Sequence, residues 1–596
     1  MSNAHLKSGK VKWRPNLVFA VCYCLLNALL FLPFILLMPE SATILPPGSI
    51  FSWDLSLSTS QLLVWRDHFD LLRISGELTI LTALWIFLPR LRNSLLRAIV
   101  YTVYLLAFCY ALYEAIVLSL FLAQPDFYSQ YFWARDGLPF LASHIQNASW
   151  IVLAAAVGGA FGIGILLLLL GSLLNSAASP QLHPALRSAV LILASFCLFV
   201  AVRYQIWTAD PQMVVSSIAF KLERNIAASW QLYSDVASFD DQPMRVAYDY
   251  SHYQLAQKPN IYFIFVESYG SVLYKRPDYR RAYTSLLSEL EQQIQGSGWS
   301  SASALSISPM WGGGSWMAYS SGLMGLRIDH QPQYLALFNK YQIDHYPDLA
   351  STLKAQGYRF VWLSSIGDQL GEQEWTKQQR FHNVDQYLRY QDLNYQGPGY
   401  GWGPSPPDQY VLNYARETYL SKIDQPLFFF MITQNSHYPW IPQPTFVEDW
   451  HTLNQSLATG EEASPAVDPE ALSHSVRRQN YMNAVEYQLR TLTDFVLHSD
   501  DKNSLYILVG DHQPPRVSRE ADGWATPIHL LSRDAGLIQA FEEYGFVPGL
   551  TVKSLDTELH HEGIYSLLMR VLLERFGKQP LTLPAYLPSG VVAVNR

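Results

Sequence analysis

Long apolar runs occur five times in this chain, and all five fall before residue 208. They occupy Asn16–Met38, Leu71–Leu88, Leu96–Leu122, Trp150–Leu174 and Ala189–Trp207. Each is close to the twenty or so residues that a helix needs to cross a bilayer. No such run follows Trp207. The chain therefore reads as a transmembrane domain of five helices over residues 1–207, a juxtamembrane helix and linker over 208–259, and a soluble domain over 260–596. The second run holds Glu77. A charge there is costly in lipid and has to face other helices or the interface.

Basic residues orient the spans. Lys7, Lys10, Lys12 and Arg14 precede the first run, Arg90, Arg92 and Arg97 lie between the second and third, and Arg187 precedes the fifth. These segments belong on the cytoplasmic side, and five spans then place the soluble domain outside. The first run is too long, and lacks a small-residue cleavage site, to read as a removed signal peptide. Cys22, Cys24, Cys109 and Cys197 all lie in the apolar runs, so the soluble domain contains no disulfide and no thiolate metal site. A net charge of -8 argues against a nucleic-acid partner.

After the amphipathic stretch Asp210–Phe239 and the polar linker, short β-rich runs alternate with helical stretches. "IYFIFVES" precedes Arg280–Gly296, "RFVWLSS" follows Tyr346–Gln356, "LFFFMITQNSH" follows Gln409–Ile423, and "SLYILVGDH" follows Arg477–His498. Near-continuous apolar strands alternating with helices predict a mainly parallel central sheet covered by helices. In such α/β sheets ligands gather beyond the carboxyl ends of the strands. Those ends carry Glu267 and Ser268, Ser364, Ser365 and Asp368, Asn435 and His437, and Asp511 with His512. One polar strand end is ordinarily a cap or turn, but several converging ends make a site. Glu267, Asp511 and His512 supply two carboxylates and an imidazole, ligands suited to Mn²⁺, Mg²⁺ or Zn²⁺. Gly510 reads as a tight turn at the end of its strand.

"PMWGGGSWMAYSSGLMGL" sets three glycines before Ser315 and a helical stretch after it. That pattern presents Ser315 at a helix N-terminus, where backbone N–H groups attract an anion such as phosphate. A hydroxyl is a weak nucleophile until a neighbouring base or cation activates it. The plainer reading is a flexible glycine loop with a serine cap.

"IYFIFVESYG", "GGGSW", "NSHYPW" and "VGDHQPP", in this order behind five apolar runs, resemble the alkaline-phosphatase superfamily. Within it they are most similar to the sulfatase-like membrane transferases of the lipoteichoic acid synthase and phosphoglycerol transferase group, over residues 260–573. The resemblance implies an α/β alkaline-phosphatase-like domain and a divalent ion, Mn²⁺ first, on Glu267, Ser315, Asp511 and His512. It implies that Ser315 stands where the group has its Thr nucleophile and becomes loaded with the phosphoryl group, and that His437 contacts head group or phosphate. The group's Trp-x-Arg element meets "EWTKQQRF" here: Trp375 matches, Lys377 replaces the arginine, and Arg380 lies three residues further on. Lysine does not reproduce bidentate recognition by arginine.

The function implied is metal-dependent transfer of a phospho-head group, phosphoglycerol from phosphatidylglycerol first, to a cell-envelope glycan or glycolipid through a phospho-serine. The implied setting is a bacterial cytoplasmic membrane, with the catalytic domain on the periplasmic or extracellular side. Phosphoethanolamine transfer to an envelope polysaccharide, a phosphodiesterase, and a non-catalytic partner of a polysaccharide export complex are the alternatives. Sulfate-ester hydrolysis is not among them: true sulfatases need Cys or Ser followed by x-Pro-x-Arg, and "SISPMWG" lacks it. The lipid A phosphoethanolamine transferases carry disulfides that this domain cannot form. Of the other polar residues, Asp408 in the Trp402-Gly403 loop reads as a helix N-cap, His529 as a satisfied core histidine, and His560 and His561 as capping or surface groups.

Overall fold

The computed structural model describes residues 14–591 except 39, 46–65, 67, 138–147, 206, 211–212, 368–370, 402–404, 457–471 and 579–581. Lys7, Lys10, Lys12, Asp368, Trp402 and Gly403 lie outside the described residues. The chain divides into two compact units, Met1–Tyr233 and Ser234–Arg596.

In the first unit an apolar helix stands at each of the five places: α1 (Arg14–Leu37), α2 (Gly76–Phe87), α3 (Ser94–Phe121), α4 (Ala148–Ala177) and α5 (Pro184–Arg203). Four are long and apolar enough to cross a membrane. The helix α2 is not: its 12 residues rise only about 18 Å. Its late start has a physical cause. Ile74 and Ser75 pair as extended backbone with Val215 and Ser216, and Ser75 then accepts from Leu78 N as the N-cap. Glu77 sits in the first turn and meets the demand its charge makes: Oε1 accepts from Ser217 Oγ at 2.5 Å and from Ala219 N at 3.2 Å. The helix predicted over Asp210–Phe239 begins only at Ile218, as α6 (Ile218–Ala237), because the residues before it are spent on this pairing. Its Lys221 pairs with buried Glu114 of α3.

The second unit is built on eight strands: β1 (Asn260–Val266), β2 (Ser300–Ile307), β3 (Arg359–Leu363), β4 (Gln386–Leu388), β5 (Leu427–Ile432), β6 (Ser504–Gly510), β7 (Ala525–Ser532) and β8 (Val547–Pro548). Their spatial order is β8-β2-β7-β6-β1-β5-β3-β4. The run from β6 to β4 is parallel, while β7 is antiparallel to β6 and β2, and β8 to β2. Strands β1, β5 and β6 are buried almost throughout, as two covered faces require. On one face Tyr262, Ile264 and Val266 pack with Leu287 and Leu290 of α7 (Pro277–Gly296) and with the helices α11 (Asp408–Thr418) and α12 (His474–Leu497). On the other face Phe265 and Phe430 meet Tyr319 of α8 (Ser315–Met324). Between α8 and α11 lie α9 (Leu349–Ala355) and α10 (Glu372–Phe381).

The register puts three strand ends level. Val266 pairs with Gly510, and Phe265 with Ile432. Gly510 makes no tight turn; it is the last residue of β6, and what it supplies is the missing side chain. A Cβ there would lie 1.9 Å from Tyr269 O and 3.0 Å from Thr526 Cβ. Backbone cannot yield as a flexible side chain can, so Gly510→Ala should destabilise the second unit by about 3 kcal/mol or more, measured by urea unfolding against wild type.

Candidate active site

The site forms where β1 lies between β5 and β6. Continuing past their ends, β1 delivers Glu267, β6 delivers Asp511 and His512, and β5 delivers the loop Thr433–His437. One ligand atom from each of Glu267, Asp511 and His512 falls in a group whose members all lie within 4.8 Å of one another, and all three side chains are buried. Helix α8 brings the fourth member. Gly313 and Gly314 take φ of 67° and 74°, a left-handed conformation that glycine adopts without strain, and Ser315 follows as the first helical residue. Its Oγ donates to Glu267 Oε2 at 3.0 Å and lies 3.3 Å from His512 Nε2.

The hydrogen bonds around these groups fix their roles. His512 Nδ1 lies 2.9 Å from Gln513 O, which can only accept, so Nδ1 carries the proton. Nε2 then presents its lone pair to Gly313 N at 3.1 Å and to the cluster. Asp511 Oδ1 accepts from Ser268 N and His512 N, both at 2.7 Å, whereas Oδ2 is buried with no hydrogen-bond partner. Ser268 Oγ donates to Glu267 Oε1 at 2.8 Å, with Ser268 itself at φ 54°. Glu267 is held from the β5 side as well: its N donates to Thr433 Oγ1 at 3.1 Å and its O accepts from Ser436 Oγ at 2.7 Å.

Burial, then the adjacent Glu267, drives the Asp511 carboxyl well above its ordinary range. Burial also opposes charge on Glu267, but His437, His512, Asp511 and Ser268 outweigh it and hold that carboxyl below its ordinary value. Burial lowers His512, keeping its imidazole neutral. Two carboxyls so close and so buried share either a proton or a cation. An orphaned carboxylate oxygen, a second carboxylate, an imidazole lone pair and a hydroxyl fit a divalent metal of the Mn²⁺, Mg²⁺ or Zn²⁺ kind.

His437 acts on Glu267 and His512 electrostatically from the β5 loop, with Nδ1 at 2.5 Å from Tyr438 O. The Trp-Lys-Arg element lies in α10. Trp375 packs on Tyr387 at 5.4 Å with the Arg389 guanidinium over its ring, and Lys377 pairs with Glu374 at 2.6 Å in solvent. Arg380 lies in the last turn of the same helix.

Three sequence readings need correction or completion. Asp408 is not an N-cap; Pro407 is, and the Asp408 carboxylate instead accepts from Gln434 N at 2.8 Å and Asn435 N at 2.9 Å. Nothing in the sequence marks a partner so far along the chain. His561 is no surface group: fully buried, it joins Ser306 Oγ at 2.9 Å to Gly510 O at 3.0 Å. His560 occupies the N-cap position of the following turn, without a side-chain bond to it. His529 is a satisfied core histidine, between Ser303 Oγ at 2.7 Å and Tyr269 Oη at 2.8 Å.

Burial pushes His382, His529 and His561 each down to about 3, while it pushes Asp348 up to about 6 and Asp408 up to about 7. The imidazoles fold neutral, so their contribution is present above about pH 6.5 and is lost as pH falls toward 3, each at about 1.4 kcal/mol per pH unit. The two carboxyls take up protons more readily folded than unfolded and oppose that loss down to about pH 4. Below pH 4 the histidines act unopposed. The second unit should lose stability gently from pH 6 to 4 and steeply below, and His529→Asn should flatten the steep limb in chemical denaturation series.

Residues 259–534 match the family model described as Sulfatase. No curated protein matches the chain by sequence. Among solved structures, the lipoteichoic acid synthase LtaP of Listeria monocytogenes is similar at 14% identity and TM-score 0.36, over 59% of this chain and 80% of that one. The soluble domain of lipooligosaccharide phosphoethanolamine transferase A of Neisseria meningitidis is similar at 14% identity and TM-score 0.36, over 54% and 89%. The Streptococcus pyogenes phosphoglycerol transferase GacH, solved with sn-glycerol-1-phosphate, is similar at 14% identity and TM-score 0.33, over 57% and 85%. Residues 259–534 are thus similar to the sulfatase family.

Proposed function

We propose that this protein transfers a phospho-head group from a membrane phospholipid, phosphatidylglycerol first, to a hydroxyl of a cell-envelope glycan or glycolipid, with Ser315 as nucleophile. The observation that carries the reading is Ser315 Oγ donating to Glu267 Oε2 at 3.0 Å while standing at a helix N-terminus. The carboxylate takes the proton as Oγ forms its bond to phosphorus, the diacylglycerol C–O–P linkage breaks at phosphorus, and the diacylglycerol oxygen leaves with the proton that Glu267 took. An acceptor hydroxyl then attacks the phospho-serine, its oxygen bonds to phosphorus, and the Ser315 oxygen is released and reprotonated. The N–H groups at the start of α8 face the charge on the phosphoryl oxygens.

Glu267, Asp511, His512 and Ser315 would hold a divalent cation, and when bound it would neutralise phosphate charge and favour the serine alkoxide. Four apolar helices of spanning length give such an enzyme access to a lipid donor. Counting all five apolar runs as crossings, the basic segments favour the outer face of the cytoplasmic membrane for the second unit. Ser315 is followed by Trp316, Met317 and Ala318, with no x-Pro-x-Arg, which supports phosphoryl over sulfuryl chemistry. The test is incubation of the full-length protein with labelled phosphatidylglycerol or phosphatidylethanolamine, followed by mass analysis of the Ser315 peptide. A phosphoglycerol adduct is expected; a phosphoethanolamine adduct would change the donor, and no adduct with either would overturn the mechanism. Water as sole acceptor would make the enzyme a phosphodiesterase.

A further inference from the structure

Asp408 is fully buried at the start of α11, yet its carboxylate serves another element. Oδ2 accepts from Gln434 N and Asn435 N, and Asn435 Oδ1 returns the bond by accepting from Asp408 N at 2.6 Å. The clamped loop is the one that holds Glu267 through Thr433 and Ser436, and it carries His437. The Asp408 carboxylate also faces the Gln488 side chain of α12, an interaction that favours its ionised form. A fully buried carboxylate is an expensive way to tie down a loop that a neutral amide could hold. Such groups concentrate where a site needs their charge.

We propose that Asp408 is a positioning residue, setting the Thr433–His437 loop and through it Glu267 and His437 for the transfer reaction. The inference rests on the function proposed above, and it deepens that reading by coupling the site to a titrating group behind it. The titratable groups facing Asp408 are Glu267, across the strand ends, and Tyr487 of α12. Burial, and to a lesser degree Glu267, push the Asp408 carboxyl up to about 7. Ionised Asp408 accepts both backbone N–H bonds at full strength; protonated Asp408 holds the loop more weakly.

Hydrogen exchange on the full-length protein in micelles reads the clamp without reference to activity. In Asp408→Ala the amides of Gln434 and Asn435 should exchange at least about 100-fold faster while those of Leu427–Ile432 stay protected. Asn435→Ala, which removes the returning bond, should accelerate the Gln434 amide and serves where Asp408→Ala does not fold. Asp408→Asn, whose amide oxygen can accept the same two bonds, should keep the protection and most of the activity but lose the limb of the pH–rate profile near 7. Unchanged exchange at both amides in Asp408→Ala and in Asn435→Ala would overturn the proposal, as would a wild-type pH limb in Asp408→Asn. A wild-type protein that transfers no head group would sink the transfer reading alone, since the exchange arm decides the clamp by itself.

Discussion

Ser315→Ala should abolish head-group transfer, lowering the rate by more than about 1000-fold and removing the covalent adduct altogether. The expectation follows from what the hydroxyl does and from how little else it does. Ser315 is partly exposed, its Oγ bonds only within the cluster, and its backbone keeps its place at the start of α8 because Gly313 and Gly314 set the turn. Stability should therefore change little, while divalent-ion binding should weaken by the loss of one neutral ligand. Ser315→Thr keeps a hydroxyl at the same atom and should retain measurable transfer. Radiolabelled lipid turnover and intact-mass measurement on the three proteins check this together. An alanine protein that still transferred would remove Ser315 from the reaction, whatever its contacts with Glu267.

Much of this arrangement was legible in the sequence for one physical reason. Strands β1, β3, β5 and β6 are covered on both faces, so they appear as uninterrupted apolar runs, and the polar residue ending each run stands at the sheet's carboxyl edge. That Glu267, Asp511 and His512 meet follows from β1 and β6 being neighbours. Strand β2, "SSASALSI", escaped notice because its burial is of small polar groups: Ser303 is fully buried and satisfied by His529 and Gly549 O. No periodicity announces a strand whose buried residues are mostly serine and alanine. The short α2 was hidden similarly, since Leu71 and Leu72 lie in a turn and Ile74 goes to extended pairing with Val215, so the start of the apolar run is not helix. Gly510, Asp408 and His561 share a different obscurity. Their work is defined by Tyr269 O, by Gln434 and Asn435, and by Ser306 and Gly510 O, partners remote in sequence.

The second large effect separates the ligand role of Asp511 from its structural one. In Asp511→Asn the amide oxygen can accept the Ser268 and His512 backbone bonds that Oδ1 accepts now, and the NH₂ group takes the place of an oxygen that has no partner. One buried carboxyl beside another is removed. Without added metal the variant should be as stable as wild type or more so, since an amide of the same shape needs neither a proton nor a cation to sit buried beside Glu267. With metal the order should reverse. At a Mn²⁺ concentration about 100 times its dissociation constant, wild type should gain about 2.7 kcal/mol. The variant, short of an anionic ligand, should bind at least about 100-fold more weakly and gain almost nothing. Thermal unfolding of both proteins across a Mn²⁺ series, with chelator as the zero point, measures the crossing directly. Parallel stabilisation of the two would place the cation elsewhere. A variant already unstable in chelator would show that Asp511 serves the fold before it serves a metal.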